Sequence, residues 1–182
     1  MRMEIRMSGV GGQGIVTMGL VIGRAAALYD KMDVVMTEAY GPEIMGGFSK
    51  ANVIISDGEI DYPLIDYPDV LLVMSQDGWV RDGSFVRKDG LVLFEHGLVD
   101  PGDPPDRTCI PVPAIHTADE LNKRVIANVI MMGAFQKITG LITDTALETA
   151  LMDRIPKGTE ELNMIALQKG YEIGKAAGRW SP

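Results

Sequence analysis

The chain has 182 residues, 46% of them hydrophobic and 23% charged, which excludes wholesale disorder and suits one α/β domain with a substantial core. A formal charge of −8 with no Lys/Arg run disfavours a phosphate backbone as partner, so no nucleic acid is expected. The single cysteine, Cys109, rules out an intrachain disulfide, a cysteine-rich zinc site or a cysteine-ligated iron–sulfur cluster within the chain.

His96 and His116 lack metal-ligand spacing, so no metal site is expected. The start, Met-Arg-Met-Glu-Ile-Arg, is not signal-like, and nothing reaches the roughly 20 apolar residues of a membrane span. A cytoplasmic protein with no membrane partner is the expectation.

In chain order, Met3 to Met7 predicts a strand, the run from Ser8 to Gly14 a glycine-rich turn, and Ile15 to Tyr29 a helix. Val34 to Met36 and Ala51 to Ser56 read as further strands, the latter ended by Asp57-Gly58. Val70 to Met74 and Leu91 to Phe94 are unbroken apolar runs, as in strands covered on both faces. Cys109 to Val112 is a short strand candidate, and the Pro-rich stretch from Val99 to Asp106 reads as an exposed loop.

The last third reads as helical. Thr117 and Glu120 have capping-box spacing ahead of Leu121, Val125, Val129 and Met132, and Gly140 ends that helix. Helices from about Thr143 to Met152 and Thr159 to Ala177 follow. The expectation is a single three-layer α/β domain over 1–182, with a Rossmann-like start, a mostly parallel sheet, helices on both faces and a helical C-terminal third.

Gly9-Val10-Gly11-Gly12-Gln13-Gly14 fits G-x-G-x-x-G between a strand and a helix. Such a turn leaves N–H groups at a helix N-terminus, where a phosphate or carboxylate can sit. A dinucleotide also wants an acid near the end of the second strand, and Glu38 stands there. Glycines that serve a tight crossover alone are the other reading. Gln13 carries an amide suited to orienting a neighbour or closing an interface.

The second constellation, Tyr40, Gly41, Pro42, Glu43, Gly46 and Gly47, follows the second strand and should emerge beside the glycine turn. A loop so specified at that edge reads as a site or partner contact, with a hydrogen-bonded surface turn as the alternative.

Together these segments resemble the gamma subunit of 2-oxoacid:ferredoxin oxidoreductases, the pyruvate/2-oxoglutarate/2-oxoisovalerate group. Gly9 to Gly14 is similar to that family's opening turn. Ala39-Tyr40-Gly41-Pro42-Glu43 followed by Gly46-Gly47 is similar to its second signature, Ser-Tyr-Gly-Pro-Glu-x-Arg-Gly-Gly. Val53 to Asp57, Pro68 to Leu71 and Gln76 continue the likeness. The indolepyruvate branch usually has His-Gly-Met where Tyr40-Gly41-Pro42 stand. Ala39 replaces the usual serine and Met45 the usual arginine, which removes a guanidinium able to pair a carboxylate or phosphate.

The resemblance implies a subunit of a complex that oxidatively decarboxylates a 2-oxoacid to an acyl-coenzyme A while reducing ferredoxin. It implies thiamine diphosphate, Mg and iron–sulfur clusters on partner chains, namely thiamine-binding alpha and beta subunits and a ferredoxin-like subunit. Coenzyme A is then a co-substrate of the complex, and self-association of this chain is open. Gly9, Gly11, Gly12, Gln13, Gly14, Tyr40, Gly41, Pro42, Glu43, Gly46 and Gly47 become the cofactor, partner or active-site edge, with no catalytic residue of its own. The alternative is a stand-alone Rossmann-like NAD-dependent enzyme or nucleotide-binding module.

Other residues read blandly. His96 is a loop histidine more readily than a general base, Cys109 an inert core thiol, Met131-Met132 core, and the acid-rich run from Asp57 to Asp61 a solvated turn.

Overall fold

The computed structural model describes residues 1–42, 46–104 and 106–181. Six strands form one sheet: β1 (Arg2–Val10), β2 (Asp33–Tyr40), β3 (Phe48–Ser56), β4 (Val70–Val73), β5 (Leu91–Glu95) and β6 (Thr108–Val112). Their spatial order is β2-β3-β1-β4-β5-β6. From β1 outward through β4, β5 and β6 every pairing is parallel. On the other side, β1–β3 and β3–β2 are antiparallel. The sheet is therefore mixed, parallel in three of its pairings.

One element of the Rossmann-like expectation changes. β2 does not lie beside β1, because β2 and β3 form a hairpin and β3 is the strand inserted next to β1. Two antiparallel pairings in succession still leave β2 pointing the same way as β1. The ends of both strands, and the start of β3, therefore share one edge.

Alternation along the strands sends Ile5, Met7, Val53, Leu72 and Leu93 into the larger core. Helix α1 (Ile15–Arg24) covers that face with Ile15, Met18, Val21 and Ile22, each worth about 1.5–3 kcal/mol on full burial. A π-helical turn (Ala25–Tyr29) extends α1 to the length expected. Behind it lie α4 (Ala127–Thr139), α5 (Asp144–Met152) and α6 (Glu160–Ala177). Every residue of α4 except Lys137 is buried, so this helix is enclosed on all sides, and Met131 and Met132 are core. The opposite face carries the smaller cluster of Leu71, Val73, Val92, Phe94, Val86 and Val99, under α2 (Gln76–Asp82).

Three local expectations give way. Thr117 does not cap a long helix; it sits inside α3 (Ala114–Glu120), where its hydroxyl donates to the Pro113 carbonyl at 2.8 Å. A 3-10 turn (Arg124–Ile126) then separates α3 from α4. Val99 is buried, so the Pro-rich loop is anchored at its start. By contrast, Gly140 does end α4 in the left-handed conformation, and Thr143 caps α5 by accepting the Ala146 N–H.

Candidate functional site

The glycine turn begins where β1 runs out at Val10. Gly12 and Gly14 have φ of 93° and 73°, a region that L side chains avoid, and this explains two of the glycines directly. Gly9 answers to space: a Cβ there would lie 2.5 Å from Gln13 Oε1 and 2.7 Å from Ile15 Cδ1. Gly14 also packs against Asn128 of α4, whose Nδ2 would be 2.3 Å from an added Cβ. Its carbonyl starts α1 by accepting the Met18 N–H at 2.9 Å.

Both sequence motifs meet in space. The Gly11 N–H donates to the Gly47 carbonyl at 2.8 Å, and the Gly41 N–H donates to the Phe48 carbonyl at 2.8 Å. Tyr40 stands exposed at the end of β2, and the Glu38 carboxylate two residues before it pushes its pKa above the usual tyrosine range. Gly46 has a φ of 76°. Pro42 is exposed; Glu43 and Met45 lie outside the described residues. Between the two turns opens a cleft of about 290 Å³, lined by Gly11, Gly12, Gly14, Thr17, Tyr40 and Gly47 among others.

Gln13 is the connector. Its Oε1 accepts the Val10 N–H at 2.9 Å and its Nε2 donates to the Met74 carbonyl at 2.7 Å. An amide accepts at one atom and donates at the other whatever the pH, so Gln13 ties the end of β1 to the end of β4. These two strands flank the point where the chain switches direction of winding, the place where open α/β sheets form crevices. A second cleft of about 310 Å³ lies there, lined by Gly12, Gln13, Met74, Leu98, Ile115, Arg124, Val125 and Ala127.

Sequence reasoning missed several neighbours of this crevice. Glu95 is buried at the end of β5, with its carboxylate accepting N–H groups of Gly97 at 3.1 Å and Ile115 at 3.0 Å. Burial pushes its pKa up against those hydrogen bonds. The neighbouring His96 is exposed. Gln76 clasps Asp100, accepting its N–H at 2.8 Å and donating to its carbonyl at 3.3 Å, and so fastens the Pro-rich loop to α2. Arg124 carried no signal in the sequence pattern because it lies in a short 3-10 turn.

The arrangement is poorly matched to a dinucleotide. The Gly11 N–H is committed to Gly47 and the Val10 N–H to Gln13, so two donors of the turn are already used. Glu38 sits exposed on the edge strand, with β3 between it and β1. Among the described residues no three His, Cys, Asp or Glu side chains come together in a metal-binding group, and no helix is long and apolar enough to cross a membrane. Cys109 is half-buried against the smaller core, and burial pushes its thiol up.

Comparison with known proteins bears on the whole of this edge. Residues 4–173 match the family described as pyruvate ferredoxin/flavodoxin oxidoreductase. The chain is 43% identical over 178 residues to the 2-oxoglutarate synthase subunit KorC of Methanocaldococcus jannaschii, covering 96% of this chain and 95% of that one. It is similar to the crystal structure of a keto/oxoacid ferredoxin oxidoreductase gamma subunit from Geobacter sulfurreducens, with a TM-score of 0.85, 34% identity, and coverage of 96% and 99% of the two chains. A longer chain of the 2-oxoglutarate:ferredoxin oxidoreductase from Magnetococcus marinus shares the fold, with a TM-score of 0.89 at 22% identity. This protein aligns over its whole length with 32% of that chain.

Proposed function

Since the chain belongs to the pyruvate ferredoxin/flavodoxin oxidoreductase family, we propose that it serves as the gamma subunit of a 2-oxoacid:ferredoxin oxidoreductase, with 2-oxoglutarate as the substrate. The observation that carries this reading is the likeness to KorC along nearly the full length of both chains. The complex would convert the 2-oxoacid and coenzyme A to an acyl-coenzyme A and carbon dioxide, handing two electrons to ferredoxin.

When bound in partner chains, thiamine diphosphate with Mg supplies the decarboxylation chemistry and iron–sulfur clusters carry the electrons. We assign those groups to alpha and beta thiamine-binding subunits and a ferredoxin-like subunit. The donor set of this chain supports the assignment: it has one thiol, Cys109, which is half-buried and whose pKa burial pushes up, away from the thiolate a cluster needs. The cytoplasm suits such a complex, and residues 1–182 act as one gamma-type domain.

The chain's own contribution is a preformed edge. Gln13 fixes the carboxyl ends of β1 and β4, and Gly11 and Gly47 lock the two turns together. Gly12, Gly14, Tyr40, Gly41, Pro42 and Gly46 complete the surface offered to the neighbouring subunits or to the coenzyme A arm, with Gly9 buried behind it. A rigid edge of this kind fits assembly and shaping of a site better than chemistry of its own.

Affinity purification of the tagged chain from its native cell tests the proposal, followed by identification of what accompanies it and an assay of 2-oxoglutarate-dependent ferredoxin reduction. The expected result is co-purification with thiamine-binding and cluster-bearing chains, and activity in the complex alone. A chain that purifies by itself and binds NADH would refute it.

A further inference from the structure

The face of the sheet opposite α1 is covered unevenly, and what is left open has a distinctive chemistry. Asp82, at the end of α2, is buried and serves as the hub of a charge cluster. Its carboxylate accepts from Lys50 Nζ at 2.6 Å and from the Ser8 hydroxyl at 2.6 Å, with Arg6 Nη1 at 3.6 Å and Arg81 Nε at 3.5 Å. Three cations thus share one buried carboxylate. Arg6 is further held by donating to Asn52 Oδ1 at 2.9 Å and to the Ile65 carbonyl at 2.6 Å. Arg81 stacks on the Phe48 ring at 4.5 Å, while its Nε and Nη2 are buried without a hydrogen-bond partner.

Above the cluster lies an open cleft of about 480 Å³, lined by Arg6, Lys50, Arg81 and Asp82 below and by Ile65, Asp66, Tyr67 and Phe85 around it. Among the described residues lining the cleft, Asp66, exposed, is the one further acid. Tyr67 and Phe85 are 64% and 46% exposed, and Tyr62, Leu64 and Val80 nearby are also open to solvent. Arg6, Lys50 and Arg81 face two carboxylates here, Asp82 and Asp66, which leaves the cleft with an excess of positive charge. On a chain of net charge −8 this is a local inversion of sign.

A cationic floor with Arg, Tyr and Phe around it has the composition of an interface anchor, where aromatic and arginine side chains dominate and a buried charge pair fixes register. We propose that this cleft is a docking surface for another subunit of the oxidoreductase complex, which seats an Asp or Glu side chain against Lys50 and Arg81 while its apolar neighbours cover Tyr67 and Phe85. The proposal rests on the gamma-subunit reading above.

The test is reconstitution of the full-length chain with its co-expressed companion subunits, comparing the unaltered chain with Arg81→Ala, Lys50→Met and Tyr67→Asp. Tyr67 is a rim residue, so Tyr67→Asp introduces a repelling charge without touching the fold; circular dichroism and the urea midpoint of each isolated chain confirm folding. Removing one member of a desolvated charge pair should weaken incorporation by about 30-fold or more, and all three variants should incorporate less at equal concentration.

Normal incorporation of Arg81→Ala and Tyr67→Asp would overturn the proposal. So would a dimer of the unaltered chain in the ultracentrifuge that Tyr67→Asp dissolves, which would make a second copy the occupant. A rise in thermal midpoint with inorganic phosphate that Arg81→Ala abolishes, with assembly untouched, would reassign the cleft to a small anion. Failure of the unaltered chain to bind any companion subunit would instead remove the gamma-subunit reading, and this proposal with it.

Discussion

Replacing Gln13 with alanine removes two hydrogen bonds and leaves the Val10 N–H and the Met74 carbonyl without their partner. A typical hydrogen bond contributes about 1 kcal/mol net, and an orphaned buried group costs about 1–3 kcal/mol. Gln13 is half-buried, so water reaches part of the gap and the lower end applies. The expected loss is about 2–3 kcal/mol, which for a chain of this size lowers Tm by about 4–12 °C. Urea unfolding followed by circular dichroism measures it, with an unchanged m-value as the check that stability alone has moved.

Gln13→Glu sharpens the test. Ionised, its carboxylate still accepts from Val10 but turns an oxygen toward the Met74 carbonyl; protonated, its hydroxyl can donate there as the amide does. The folded state therefore favours the protonated form and raises the glutamate pKa above its unfolded value of about 4.3. The stabilisation is complete below about pH 4.3 and is lost as pH rises through the folded value. The stability gap between Gln13→Glu and the parent should widen from acid to neutral pH. A Gln13→Ala protein that unfolds at the parental midpoint, or a Gln13→Glu gap independent of pH, would refute the clamp.

Gly170→Ala and Gly23→Ala should move stability in opposite directions. A Cβ at Gly170 would lie 2.2 Å from the Ile130 carbonyl oxygen across the α4–α6 contact, and a backbone cannot swing aside. Overpacking of about 3 kcal/mol outweighs the roughly 1 kcal/mol gained in helix propensity, a net loss of about 2 kcal/mol. At Gly23 the nearest side chain is Val34 at 3.5 Å, so the propensity gain should stand, at about 0.4–1 kcal/mol, in the same urea titrations. Thr143→Ala removes the α5 cap and the hydroxyl's bond to Asp30, and should cost about 1–2 kcal/mol. For Glu95, the raised folded-state pKa means its contribution is greatest below the unfolded pKa and is lost as pH rises through the folded one. Stability of the parent relative to Glu95→Gln should accordingly fall from acid toward neutral pH in paired titrations.

How far the sequence could be read depended on which signals are local. Val70 to Val73 and Leu91 to Phe94 declare themselves because both faces of each strand are buried, leaving no polar interruption. The antiparallel placement of β3 was illegible, since Ala51 to Ser56 carries the same apolar pattern whichever direction it runs. Helix α2 escaped notice because Gln76 to Asp82 is short, polar and contains Gly78, whose space is taken by Ser8 and Gly9 of β1. Thr117 misled through correct spacing in the wrong place: four residues earlier Pro113 already starts the turn.

At the candidate site, the glycines with positive φ and the amide of Gln13 could be singled out from chemistry alone. Their neighbours Glu95, Arg124 and Asn128 could not, because each reaches the edge from a distant part of the chain. The Asp82 cluster was equally hidden: Arg6, Ser8, Lys50 and Asp82 look like scattered surface residues until the sheet aligns them.

The position of β1 has a cost during synthesis. Of the six strands it is made first, yet its two hydrogen-bonding flanks are filled by β3 and β4, which are complete only after residues 56 and 73 have been added. At roughly 5–20 residues per second the ribosome leaves Ile5 and Met7 waiting about 2–10 seconds with both edges bare, and about 3–13 seconds before the second edge can be covered. Nascent-chain handling, more than the finished structure, is then where a weakened β3 or β4 would first be felt, as aggregation of newly made protein ahead of any loss in the mature one.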